Sequence, residues 1–146
     1  MINGLLHAHS GLRWIALFLI LATIIVSFTS KSKPYSATEK KLALFTLISF
    51  HIQLLIGLYL YFVSPKVNFA VEGFMKNAMF RFYNVEHITG MLIGILLITI
   101  GYSKAKRKTE DAAKRKTIKT FYIIGLIIVL ATIPWPFREA LGANWF

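Results

Sequence analysis

Residues 80–102 read FRFYNVEHITGMLIGILLITIGY, a 23-residue stretch with no charged residue after His87. About 20 mostly apolar residues carry a helix across the hydrocarbon of a bilayer, so this stretch predicts a membrane span. Three more stretches repeat the pattern, at about 4–29, 42–63 and 118–134. The chain has 146 residues, 56% of them hydrophobic, more apolar surface than a soluble core of that length can bury. Short connections between the spans favour antiparallel neighbours. The expected fold class is all-α: one domain, residues 1–146, forming a four-helix transmembrane up-and-down bundle.

Charge gives the bundle a direction. Lys31, Lys33, Lys40 and Lys41 lie between the first two spans. Lys104, Lys106, Arg107, Lys108, Lys114, Arg115, Lys116 and Lys119 lie between the last two. Twelve of the seventeen basic residues thus fall on one side, which the positive-inside rule makes cytoplasmic. Both termini and the loop at 64–79 are then expected to be periplasmic, in a bacterial inner membrane. Trp14, Trp135, Trp145, Tyr61 and Tyr83 collect toward that outer interface, where amphipathic rings settle. The net charge of +11 reads as topology or an anionic-lipid anchor, with no role in binding nucleic acid. The absence of cysteine excludes disulfides, thiolate metal sites, iron–sulfur clusters and covalently attached haem. The first span lacks the basic start and small-residue cleavage site of a signal peptide.

All four histidines fall in or at the edge of spans: His7 and His9 in the first, His51 in the second, His87 in the third. Polar side chains at such depth are functional candidates, because leaving them unsatisfied in lipid costs several kcal/mol. At a rise of 1.5 Å per residue, His9 stands ~28 Å from the cytoplasmic end, His87 ~22 Å and His51 ~12–14 Å. His9 and His87 share the outer half, on helices expected to be diagonal partners. One axial imidazole from each, with a flat macrocycle between, is the preferred arrangement. His7 points about 200° away from His9 and is left to cap the site, or to replace His9. His51 has no ligand opposite it in the fourth span, so a second haem is hard to build unless the third span tilts and His87 is its partner.

Gly90 and Gly94 are placed near the face of His87, where they admit either a bulky ring or a close neighbouring helix. Arg13 follows His9 by one turn and needs an anionic partner; a haem propionate or Glu86 can serve. Arg81 and Arg138 lie near the outer boundary, where they bind propionates or extend to the interface. Pro134-Trp135-Pro136 is expected to end the fourth helix.

The strings His7-Ala8-His9-Ser10-Gly11-Leu12-Arg13-Trp14, His51-Ile52-Gln53-Leu54-Leu55-Ile56-Gly57 and Val85-Glu86-His87-Ile88 resemble those of short bacterial four-helix membrane proteins known as cytochrome b. The resemblance runs along nearly the whole chain, to the closing segment at 133–138. It implies a non-covalent haem b with ligands drawn from His7, His9, His51 and His87, and does not choose the pair. In size and topology the chain is similar to the cytochrome b561, CopD and HemJ groups. It departs from the two-haem b561 pattern because the fourth span offers no ligand.

The expectation is one haem b held by His9 and His87, with cofactor contacts from His7, His51, Arg13, Arg81, Arg138 and Gly90. Electron transfer would take place near the periplasmic face, with quinol, a periplasmic redox protein or a respiratory complex as partner, and with a homodimer also open. Two axial histidines fill the iron and favour a carrier over oxygen chemistry. The rival readings are a copper- or haem-handling protein and a cofactor-free accessory subunit.

Overall fold

The structure, a computed structural model, describes residues 2–30, 33–143 and 145; Lys31, counted among the loop lysines, lies outside them. Four helices dominate: α1 (Ile2–Thr29), α2 (Ala37–Val63), α3 (Ala78–Lys106) and α4 (Asp111–Thr132). No strand occurs among the described residues. The helices pack in a ring, α1 on α2, α2 on α3, α3 on α4 and α4 on α1, which makes α1 and α3 diagonal, as the short connections predict.

Three helices, α1, α2 and α3, are long and apolar enough to cross a membrane. The fourth falls short by itself. Its first nine residues include Asp111, Lys114, Arg115, Lys116 and Lys119, and it stops at Thr132. The uncharged part, 120–132, is about 20 Å long. The span expected to run to 134 thus loses its last two residues: Ile133 turns extended ahead of Pro134, which disfavours helix in the residue before it.

Each boundary has a local cause. α2 starts five residues before its expected apolar run because Ser36 and Glu39 form a capping box: the Ser36 hydroxyl accepts the Glu39 N–H at 3.2 Å, and the Glu39 carboxylate accepts the Ser36 N–H at 2.9 Å. Asn77 caps α3 by accepting the N–H groups of Met79 and Phe80. Within α3, residues Phe82–Glu86 widen into a π-turn, so the His87 N–H reaches back five residues to the Phe82 carbonyl.

At the basic end the bundle is bolted by side chains. Arg115 donates to both Glu39 oxygens at 2.6 and 2.9 Å, with both residues buried. The Tyr122 hydroxyl donates to the Ala43 carbonyl at 2.8 Å. Thr23 and Thr46 share a buried hydrogen bond of 2.9 Å between α1 and α2. The α3–α4 seam depends on glycine. A Cβ at Gly90 would stand 2.2 Å from Thr132, one at Gly94 2.8 Å from Val129, and one at Gly101 2.4 Å from Phe121. These glycines serve close helix packing.

Candidate functional site

His9 and His87 arrive from the diagonal helices with ring centres 6.5 Å apart and planes at 87°. Both line a cavity of about 350 Å³ at the end of the bundle away from the basic loops. Phe50, Leu54, Met91, Ile95 and Val129 form its apolar depth, while Arg13, Lys66 and Tyr83 stand among its polar groups. No carboxylate is among its described lining residues, so the site is cationic.

Each imidazole is positioned by a different device. The His87 Nδ1–H donates to the Thr132 carbonyl at 2.7 Å, which fixes the tautomer with the Nε2 lone pair available. Phe82 stacks on its ring at 5.8 Å and 29°, and Tyr83 meets it edge-on at 6.3 Å. The π-turn makes this possible: it places Phe82, five residues earlier, against the same ring. Single π-turns inside α-helices recur at functional sites. Gly90 completes the arrangement, since only a hydrogen there lets Thr132 approach closely enough for its carbonyl to reach His87.

His9 rests on α2. A Cβ at Gly57 would lie 3.0 Å from its Cε1 and 3.6 Å from its Nε2, so Gly57 is the floor of the ring's seat. Gln53 Nε2 donates to the His9 carbonyl at 3.2 Å. The His9 Nδ1 is buried with no hydrogen-bond partner among the described residues. Arg13 lies beside it, with Nη2 donating to the Trp145 carbonyl at 3.0 Å and Nε buried without a partner among the described residues. An unmade bond at a buried polar group costs roughly 1–3 kcal/mol, so both atoms are suited to a polar partner in the cavity.

The other expected residues fall into three groups. His7 is exposed and lines the cavity mouth. His51 lies apart from the cavity lining, its Nδ1 bonded to the Leu47 carbonyl at 2.8 Å. Gly90, Arg81 and Arg138 do not line the cavity. Gly90 faces Thr132, Arg81 pairs with Glu86 at 2.7 Å, and Arg138 lies over the Phe82 ring at 4.7 Å. The Arg13–Glu86 pair weighed from sequence does not form, because Arg81 sits five residues from Glu86 across the π-turn and takes it.

Lys66, Tyr83, Gln53, Gly57 and Thr132 join the site without having been singled out for it. Lys66 donates to the Gly142 carbonyl and lies over the Tyr83 ring at 5.2 Å; burial pushes its ammonium below its ordinary range. A lysine in the weakly charged 64–79 loop was a visible signal. Thr132 acts through its carbonyl, for which a sequence carries none.

Two imidazoles and a cationic lining are the donor types that a b-type haem uses. Two imidazoles facing across one metal place their ring centres roughly 6–6.5 Å apart, taking metal–nitrogen bonds of about 2 Å. The cationic lining, with Arg13 and Lys66, would suit the two propionates of such a group. The volume lies at the low end of the roughly 300–1,000 Å³ of small-molecule sites, so side chains must part to admit a macrocycle. Among the described residues no three His, Asp or Glu gather to hold a metal ion. Comparison with known proteins finds no matching family model, curated protein or solved structure, and the site's own geometry carries the functional reading.

Proposed function

We propose that this chain is a membrane b-type cytochrome that binds one non-covalent haem b through His9 and His87. The observation that carries this is the convergence of the two imidazoles from diagonal helices, 6.5 Å apart at one cavity. Bound haem supplies a one-electron iron couple. The chain's residues do the rest: Thr132 orients His87, Gly57 seats His9, and Arg13 and Lys66 supply positive charge for carboxylates. The apolar depth keeps water from the ring.

The basic loops support, through the positive-inside rule, a site in the periplasmic half of a bacterial inner membrane, with all four helices in the bilayer and both termini outside. Quinol, a periplasmic redox protein or a respiratory complex is the partner class that can exchange electrons there. The resemblance to short cytochrome b proteins supports the same reading. A copper-handling role draws less support, because among the described residues no third His, Asp or Glu joins His9 and His87 as a ligand.

The test is a dithionite-reduced minus oxidised visible spectrum of protein expressed with haem supply and purified in detergent. A sharp α-band of low-spin haem is expected, lost in His9→Ala and in His87→Ala and kept in His51→Ala. Folded protein without haem, or a band that survives both changes, refutes the proposal.

A further inference from the structure

At the basic end a second cavity, about 190 Å³, is lined by Tyr35, Lys40, Tyr102, Lys106, Lys108 and Lys114. Four ammonium groups surround it. Among the described residues only Lys114 has a carboxylate within reach, Asp111 at 3.2 Å. Lys40, Lys106 and Lys108 bring positive charge without a carboxylate partner among the described residues around one small space, and an anion seated there would be attracted by all of them.

One wall of this cavity is rigid. The Tyr35 N–H donates to Asp111 at 2.9 Å, and the Tyr35 ring lies under both the Lys114 ammonium and the Arg115 guanidinium, each at 5.6 Å. Arg115 is itself held by Glu39. Burial raises the Tyr35 phenol above its usual range, so its hydroxyl stays protonated as a donor. Buried Ala105 and Ile118 lie beneath, an apolar floor directly below the charged rim.

We propose that this cavity binds a phosphate group carried by an anionic amphiphile, such as a glycerophospholipid headgroup at the membrane surface. A phosphate offers several acceptor oxygens to donors that converge from three helices and two loops, which a single carboxylate does not. Basic pockets between membrane helices on the cytoplasmic side hold such headgroups. The lysines therefore form a site as well as a topological signal. This holds whether or not the histidine cavity takes haem.

The experiment is native mass spectrometry of the detergent-purified protein with equimolar phosphatidylglycerol and phosphatidylcholine, beside thermal unfolding with and without millimolar inorganic phosphate. The wild type is expected to retain phosphatidylglycerol preferentially. The preference should fall about fivefold for each lysine removed in Lys106→Gln and Lys108→Gln. These side chains are exposed, so melting in phosphatidylcholine should not change and serves as the folding control. Protection by inorganic phosphate without lipid preference assigns the same site to a soluble phosphate. Equal retention of both lipids with no phosphate effect overturns the proposal, as does a preference unchanged in the double variant.

Discussion

Gly90→Ala adds one methyl group at the point where α3 comes closest to α4. The new Cβ would stand 2.2 Å from Thr132 Cγ2, 2.6 Å from its Oγ1 and 2.7 Å from its Cβ, where ordinary contact begins at 3.4 Å. The helices must therefore separate by about 1.2 Å, the difference between 3.4 and 2.2 Å. Thr132 cannot swing aside, because it is short, branched at Cβ and bonded through Oγ1 to the Ile128 carbonyl at 2.8 Å. Overpacking of this kind costs about 1–3 kcal/mol, and the helix preference of alanine over glycine offsets roughly 0.5–1 kcal/mol. The net loss is about 1–2 kcal/mol. Thermal unfolding in detergent, followed by circular dichroism, should show a midpoint several degrees below wild type. Gly11→Ala is the control, since nothing lies within 4 Å of its Cβ, and it should be neutral or stabilising. The same displacement draws the Thr132 carbonyl away from His87 Nδ1, so any cofactor held by His87 should be retained less well in Gly90→Ala alone. Adding Thr132→Ala removes two of the three closest atoms and should recover part of the loss. A Gly90→Ala variant that melts with or above Gly11→Ala would refute the packing argument.

Arg115→Leu leaves the buried Glu39 carboxylate unpaired and should cost about 3–5 kcal/mol; adding Glu39→Gln should recover much of it, measured by unfolding in mixed detergent. Gly57→Leu drives a side chain into the seat of His9 and should reduce cofactor retention while Gly4→Ala, with open space around it, does not; equal visible spectra would count against the seat. Asp111 accepts the Tyr35 N–H and pairs with Lys114, which holds its carboxyl below the ordinary range. Its stabilising contribution is thus complete above the ordinary value of about 4 and is lost as pH falls through the lowered value. Melting curves taken from neutral to acid pH should show that loss in wild type and not in Asp111→Asn.

Hydropathy and helix rise were enough to read four helices, their ring order and the nearness of His9 to His87, because each depends on pattern and length alone. The glycines at 90 and 94 were visible as small residues, yet their partner was not. Whether such a residue faces a ring or a helix depends on the rotation of α3, and the π-turn at 82–86 resets that rotation. The same turn lets Arg81 reach Glu86, which regular helical spacing had left facing Arg13. The fourth span was read two residues too far because apolar Ile133 and Pro134 continue the hydropathy while the backbone leaves the helix.

The two ends of the bundle spend their polar groups differently, and the difference bears on function. At the basic end, Glu39 and Arg115 satisfy one another, Tyr122 reaches a carbonyl, and Thr23 meets Thr46. At the histidine end, His9 Nδ1 and Arg13 Nε are buried without partners among the described residues, beside an open cavity. Unsatisfied groups at one end of an otherwise well-bonded fold belong to a site supported by the stability of the rest. The bolts near the basic loops hold α1 and α2 together and α2 against α4, so the far ends of the helices keep their places without closing the space between them. An occupant that met both orphaned groups would stabilise the histidine end. On the proposed reading, His9 and Arg13, one helical turn apart on α1, would offer that same space one metal ligand and one partner for a carboxylate. The proposed haem, a metal-centred macrocycle with acidic side chains, would use both.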